Sequence, residues 1–431
     1  MADFSQDGEP LRVLVFPCGS ESGLEIHRAL RFGTDVRLFG ASSVDDHGRL
    51  RFTDYLGGLP RIGEPGFDRF FGDAIRSNRI RIVFSTHDSV SEYLARRAEA
   101  LGFFLVNPDP EANAVARRKS ETYRLFADQD WIPTLHDDIE RIARWPIAVK
   151  PDRGQGGQGV GRASNADEAR TLAGRVEDPL LVEWLPGPEI TVDCFTDRHR
   201  RLVWMGARTR ERVRAGISMR SRFLDVDRRI ESIAEVVNSR LRLRGPWFLQ
   251  AKRDVGGEWK LLEISLRIGG SSGSHRSRGV NLPRMAIDDL LGLDVFPRVD
   301  SKVLLVDRFL ETRAELDYDW DTVHVDLDGT LIEAGRARPE VVAFLFRAVA
   351  EGKRVSLFAR MGEDVESELA RARLGRSLFD EIRWFSEAAT KSRLVEERSI
   401  LVDAHAQERE EVARTRSVPV LDVTDLEFFL R

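Results

Sequence analysis

Residues 147–161 read IAVKPDRGQGGQGVG, a short apolar run that ends on Lys150 and opens into a loop carrying Gly154, Gly156, Gly157 and Gly159. Glycine tolerates positive φ, so such a loop can turn successive N–H groups toward phosphate oxygens, and a lysine closing the preceding strand adds a fixed positive charge. A flexible surface turn has the same composition. The spacing is neither that of the GxxxxGK[ST] phosphate loop nor that of a GxGxxG following the first strand of a dinucleotide fold. The meaning of the loop therefore depends on what surrounds it.

Downstream, residues 180–193 (LLVEWLPGPEITVD) predict a strand, a tight turn at Pro186 and Gly187, and a second strand carrying Glu189. A strand-edge backbone can hydrogen-bond the edge of adenine, and a carboxylate a few residues on can hold ribose hydroxyls. Gln250 in WFLQAK and Glu263 in LLEISLR fall on what read as neighbouring strands, and Arg267 follows. Two side-chain oxygens and a guanidinium suit a Mg-triphosphate, because Mg2+ takes one or two protein oxygens and fills its shell with phosphate and water.

In this order the segments resemble the ATP-grasp superfamily, most closely its branch similar to the large subunit of carbamoyl phosphate synthetase, over roughly Leu11 to Arg298. The resemblance implies that Lys119 in RRKSETY and Lys150 bind ATP and that the loop through Gly154, Gly156 and Gly157 closes over its phosphates. It also implies an adenine hinge at Glu183, Trp184 and Leu185, acting mainly through backbone, a ribose contact at Glu189, Mg2+ ligands at Gln250 and Glu263, and a catalytic phosphate contact at Arg267. The family often has Asn two residues after the metal-binding Glu, where this chain has Ser265, which implies that the second metal site is looser or absent. In ARTRERVRAGIS (207–218) the arginines 208, 210, 212 and 214 alternate as on an exposed strand, and only Arg208 is taken as a substrate or phosphate contact. His275 and Asn281 in GGSSGSHRSRGVN either line an acceptor pocket or form the first turn of a helix.

Upstream, Leu11–Pro17, Asp35–Phe39, Arg81–Phe84 and Phe103–Val106 read as strands alternating with helices at Leu24–Phe32, Phe67–Ser77 and Ser89–Leu101. That alternation predicts a parallel, doubly wound α/β sheet, with Ser20, Ser22 and Thr86–Ser89 at its strand ends facing a ligand crevice. His87 and Asp88 are read as caps of the following helix.

Residues 322–332 read TVHVDLDGTLI, a strand delivering Asp326 and Asp328 before a glycine turn. Two carboxylates so placed can share Mg2+, one attacking phosphorus and the other handling the proton. The motif resembles the HAD superfamily. The resemblance implies that Asp326 and Asp328 are catalytic and bind metal, that Lys391 in ATKSR binds phosphate, and that Asp403 in SILVDAH is a metal ligand. The chain departs from the pattern at Ala359, where VSLFAR should end in Ser or Thr, and at Ala404, where a second acid is usual; Glu408 could compensate through a longer spacing. Fewer than 30 residues separate DLDGTL from VSLFAR, too few for a large cap.

The expected organisation is a pre-ATP-grasp domain (1–113), an α+β ATP-grasp domain (114–300), a linker (301–320) and a Rossmann-like HAD domain (321–431). With 431 residues and 42% hydrophobic content the chain can bury several cores. A net charge of -5 provides no basic field for nucleic acid or anionic lipid, and no run of apolar residues is long enough to span a membrane. The acidic opening MADFSQDGEP is not a secretory leader, and Cys18 and Cys194 match no metal or disulfide spacing, so a cytosolic location is expected. Of the 66 basic residues only seven are lysines, which sets Lys119, Lys150 and Lys391 apart where a compact ammonium must reach a phosphate.

The expected activity is ATP- and Mg2+-dependent ligation of a small-molecule carboxylate and an amine through an acyl phosphate, with the HAD unit an accessory phosphatase or a degenerate scaffold. The alternatives are a HAD-type phosphatase with a nucleotide-sensing ATP-grasp module and a non-catalytic nucleotide-binding protein. No residue selects the acid or the amine.

Overall fold

A computed structural model describes residues 9–154, 156–299, 302–386 and 388–429. The chain divides into two units between Phe309 and Leu310. The opening octapeptide and Gln155 of the glycine loop lie outside the described residues.

The first unit starts with a parallel sheet built on Leu11–Phe16, flanked on one side by Val36–Ala41 and then Asp54–Leu56, and on the other by Ile82–Ser85 and then Phe104–Leu105. Its central strand is apolar on both faces because both are covered. Val13 and Val15 pack with Ile26 and Leu30 of the helix Glu21–Leu30, whereas Leu14 and Phe16 pack with Phe67 and Phe71 of the helix Phe67–Ser77. Alternate side chains of a strand point to opposite faces, so this division makes the sheet doubly wound. The edge strand Asp54–Leu56 is too short and half-exposed to show in the sequence pattern. The helix expected over Ser89–Leu101 is two, Asp88–Ala95 and Ala98–Leu101.

An antiparallel sheet follows, in which Leu202–Thr209, Glu189–Thr196, Gly245–Arg253 and Trp259–Ser265 lie side by side. The helix Arg228–Arg240 covers one face by setting Ile230, Ile233, Ala234 and Val237 on Val192, Cys194 and Leu249. A smaller antiparallel sheet of Leu135–His136, Pro179–Glu183, Ile147–Pro151 and Gly161–Ala163 carries the Lys150 strand and packs on the helix Ala166–Ala173.

Two expected boundaries fall inside structure. The 113/114 division lies within the helix Pro110–Arg117. The segment 301–320 is no free linker: Leu305–Asp307 pairs antiparallel with Ile217–Leu224 of the first unit, while Leu316, Tyr318 and Trp320 pack on the core of the second.

The second unit is a parallel sheet in the order Glu381–Phe385, Arg354–Arg360, Thr322–Asp326, Ser399–Val402, Val420–Leu421. Val323 and Val325 of the central strand face one core and leave His324 and Asp326 on the opposite face. Between this strand and the helix Pro339–Ala350 stands only the small hairpin Ile332–Glu333/Arg336–Ala337. Among the described residues, no helix of the chain is long and apolar enough to cross a membrane.

Candidate functional site

Lys150 is buried at the end of Ile147–Pro151, and its Nζ donates to the Tyr123 hydroxyl at 2.7 Å. That hydroxyl in turn donates to the Leu262 carbonyl at 2.8 Å. Tyr123 rides on the helix Lys119–Leu125, which Asp152 anchors by accepting from the Ser120 N–H at 2.8 Å and the Ser120 hydroxyl at 3.0 Å. The Lys150 strand and the start of the helix Lys119–Leu125 are therefore tied together. Burial, aided by the charge of Lys119, lowers the Lys150 ammonium to about 7 against the pull of Glu263. Tyr123, which sequence reasoning missed, signals itself only through this contact.

Gln250 and Glu263 are direct partners across Gly245–Arg253 and Trp259–Ser265, so their side chains leave the sheet on one face. Lys119 Nζ stands 4.0 Å from Glu263 Oε2. These groups, with Lys150, Gly154, Gly156, Gly157 and the segment Glu183–Leu185, line a cavity of about 380 Å³. At its hinge the Glu183 N–H donates to the Thr134 carbonyl at 2.9 Å and its carboxylate accepts the Thr134 N–H at 3.1 Å. The Trp184 ring lies under Arg162 and Lys252, at 5.7 and 5.5 Å. Glu189 already holds Arg210 in a 2.6 Å ion pair, which makes Arg210 a lining residue that the alternating-arginine reading passed over.

Gly156, Gly157 and Gly159 have positive φ, whereas Gly154 does not. The loop meets the turn of the hairpin Arg212–Arg214/Ile217–Leu224 so closely that a Cβ on Gly216 would lie 2.0 Å from the Cα of Gly156.

A second cavity of about 200 Å³ adjoins the first, sharing Lys119, Gly154, Gly156, Arg210, Gln250 and Glu263. It reaches the strand ends of the parallel sheet, where Ser20, Ser22, Thr86, His87 and Asp88 line it opposite Arg267. The cap reading of this segment needs correction: His87 precedes the helix Asp88–Ala95 without a side-chain cap bond, and the Asp88 carboxylate accepts from Arg267 Nη2 at 3.0 Å and from the Ser265 hydroxyl. Burial works to raise the Asp88 carboxyl, but Arg267 and Ser265 hold it below its ordinary value. The Ser265 hydroxyl is thus engaged with Asp88.

Arg208 also lines this cavity, with Nε on Asp193 at 2.7 Å and Nη1 on the Ser271 hydroxyl at 2.7 Å. His275 is not in the pocket wall. It is buried behind Arg208, with Nε2 3.0 Å from Asp193 and its ring edge-on to Trp204. Burial tends to raise the Asp193 carboxyl, but Arg208 and His275 bring it down to about 2. Asn281 is a helix cap: its side chain accepts the Arg284 N–H at 3.1 Å and donates to the Ala29 carbonyl at 2.8 Å, so it does not line the acceptor cavity.

In the second unit, Lys391 is buried and its Nζ lies 2.6 Å from both Asp326 and Asp403 and against Glu408. Glu408 also pairs with Arg360. Asp326, Asp403, His405 and Glu408 each offer a ligand atom, all within 4.8 Å of one another. Asp328 is exposed and lies outside this group, so the structure does not bring the two motif aspartates together. Burial raises the Asp326 carboxyl to about 7, with Asp403 and Glu408 adding to the effect and Lys391 opposing it. Ala359 is buried and presents no hydroxyl, while the Thr330 hydroxyl accepts the Ala404 N–H at 2.8 Å.

Residues 175–308 match a family model described as ATP-grasp in the biosynthetic pathway with Ter operon. No curated protein matches the sequence. Among solved structures, the chain is similar to the biotin carboxylase domain of Hydrogenobacter thermophilus 2-oxoglutarate carboxylase in complex with MgADP, ADP and bicarbonate, at 16% identity and a TM-score of 0.54 over 66% of this chain and 70% of that one. It is also similar to an L-amino acid ligase from Bacillus licheniformis, at 17% identity and 0.52 over 66% and 75%. A third is N5-carboxyaminoimidazole synthetase from Staphylococcus aureus complexed with ADP, at 12% identity and 0.55 over 68% and 80%. The family match includes Glu183, Gln250, Glu263 and Arg267 but begins after Lys119 and Lys150. The first unit therefore has the fold of the ATP-grasp superfamily.

Proposed function

We propose that the first unit is an ADP-forming carboxylate–amine ligase that works through an acyl phosphate. The observation that carries this reading is the continuity of the two cavities through Lys119, Gln250 and Glu263. A nucleotide in the larger cavity would direct its terminal phosphate toward a small acceptor in the other. Gln250 and Glu263 fit Mg2+ as a pair of oxygen donors on one sheet face. When bound, Mg2+ would supply charge neutralisation on the triphosphate.

In this reading Lys150 and Lys119 hold the phosphates, the glycine loop closes over them, and the backbone from Glu183 to Leu185 takes adenine. Arg267, held by Asp88, faces the acceptor cavity, where it would stabilise charge developing on the transferred phosphoryl group. The order of the segments supports the branch similar to carbamoyl phosphate synthetase. The acid and the amine are both small molecules.

The test is ADP formation by the full chain with Mg-ATP and a pooled extract of small metabolites, comparing wild type with Lys150→Ala. Extract-dependent ADP that disappears in the variant is expected; extract-dependent ADP that persists in it would sink the reading.

For the second unit we infer a phosphoryl-transfer site of the HAD type, supported by Lys391 joining Asp326 and Asp403. Asp326 is the nucleophile in this reading, and Glu408 supplies the acid missing at Ala404. Magnesium-dependent hydrolysis of p-nitrophenyl phosphate that survives Asp326→Ala would exclude it.

A further inference from the structure

Most charged groups around the smaller cavity are held by the protein itself. Asp88 is taken by Arg267 and Ser265, Arg208 by Asp193 and Ser271, and Glu21 by Arg308. His87 differs. Among the described residues its imidazole has no hydrogen-bond partner, although it lines the cavity and is half-buried. Its backbone, by contrast, is fixed: the carbonyl accepts from the Ser85 hydroxyl at 3.0 Å and from the Ser91 N–H at 2.9 Å. The residue is extended, with φ -130° and ψ 140°, which releases the side chain from the helix it precedes. A rigid backbone carrying an unengaged imidazole into a small polar cavity is the geometry of a group kept for a ligand.

We propose that His87 is the proton acceptor of the ligation step, taking a proton from a primary amine bound in the smaller cavity. The inference rests on the ligase reading. In that step the amine nitrogen attacks the acyl carbon of the acyl phosphate and a C–N bond forms. The C–O bond to the phosphate breaks, and phosphate leaves with the electron pair. The proton lost from nitrogen passes to the imidazole and from there to solvent.

Among the described residues, no other titratable group on the cavity wall suits this role. Asp88 accepts from two donors already, Glu21 is in an ion pair, and Lys119, Arg208, Arg210 and Arg267 are cations. Glu263 faces Lys119 beside Gln250, on the nucleotide side. The groups around His87 keep it in the accepting form: burial lowers its pKa, and Arg267 from the strand end and Arg117 from the helix Pro110–Arg117 lower it further, with Asp88 opposing. These influences favour the neutral imidazole, in which one ring nitrogen can take a proton.

Hydroxylamine separates the two half-reactions, because it is an uncharged nucleophile at neutral pH and traps acyl phosphates as hydroxamates without a base. Full-length wild type and His87→Asn are supplied with Mg-ATP and a small-metabolite extract supplemented with the twenty proteinogenic amino acids. Amide product is measured without hydroxylamine, and hydroxamate with it. We expect amide turnover to fall about 10²- to 10⁴-fold in His87→Asn while hydroxamate formation and Mg-ADP affinity stay at wild-type levels. The acid limb of the wild-type pH profile for amide formation should also be absent from the variant, and added imidazole should restore part of the rate of His87→Ala.

Undiminished amide formation in His87→Asn overturns the proposal, as does equal loss of amide and hydroxamate, which would mark a structural role. If wild type yields neither product nor ADP, the ligase reading itself fails and the assignment of His87 falls with it.

Discussion

Lys150 and Lys391 are both buried lysines at the centre of a site suited to phosphate, yet their surroundings are opposite. The only hydrogen bond of the Lys150 ammonium among the described residues is to a neutral phenol, and Lys119 stands near enough to help lower its pKa to about 7. Lys391 touches three carboxylates, and although burial works to lower its pKa, Asp326 and Asp403 raise it above the ordinary value. Among the described residues the Lys150 ammonium makes no ion pair, Glu263 acting on it only at longer range, whereas Lys391 is already paired with carboxylates of its own site. Lys150 on a strand end and Lys391 at a helix start thus imply different resting states: the first has its ammonium free of ion pairs among the described residues, and the second must exchange partners to admit an anion.

The largest expected effect tests this contrast directly. Lys391→Met leaves Asp326 and Asp403 buried without their cation, and breaking such a pair costs about 3–5 kcal/mol. Lys150→Met removes an ammonium that burial disfavours, so it should leave stability unchanged or higher. Calorimetric unfolding of the full chain should show the second unit's transition shifted down in the former and the first unit's transition maintained in the latter. Equal losses would break the comparison.

Next in size is nucleotide affinity. Lys150→Ala should weaken Mg-ADP binding about 10- to 100-fold, the range for a hydrogen bond to a charged group, as read by titration calorimetry. Lys391→Ala should not change it.

A smaller effect sharpens the picture of Lys150. Its folded pKa of about 7 lies below its ordinary 10.5, so the unfolded chain binds more protons in that window and the group makes stability rise with pH across it. A bound phosphate should restore the charge. Mg-ADP binding near pH 8.5 should therefore take up about one proton, measured in buffers of different ionisation enthalpy, and Lys150→Met should take up none. The smallest effect belongs to Asn281. Its replacement by Ala should cost about 1 kcal/mol as a lost helix cap and leave ATP turnover intact.

The sequence made the α/β alternation legible because the strands Leu11–Phe16 and Ile82–Ser85 carry the apolar runs 13–16 and 82–84, covered on both faces. The glycine loop, Gln250 and Glu263 could be read for the same kind of reason: each depends on local backbone or on strand register. What escaped was long-range. Asp88 is 177 residues from Ser265, and no local pattern reports that they meet. A polar residue at a helix start reads equally as a cap or as a pocket group until the fold shows where its side chain goes: His87 and Asp88, read as caps, line the cavity, and Asn281, offered for the acceptor pocket, is a cap. In the second unit, DxDGTL placed Asp326 correctly on a strand end, but the exposure of Asp328 and the recruitment of Glu408 depend on the packing of the helix Ala406–Thr415.

The strand Leu305–Asp307 bears on how the protein can be divided for study. It lies beyond the point where the antiparallel sheet ends in sequence, yet it covers the edge of Ile217–Leu224, with Asp307 paired to Arg212 and Arg220. A truncation at residue 300 would strip that edge and leave a row of unpaired backbone groups open to intermolecular pairing. Isolated preparations of the first unit should therefore extend through Phe309, and aggregation of shorter ones would report a cut edge and say nothing about the stability of the nucleotide site.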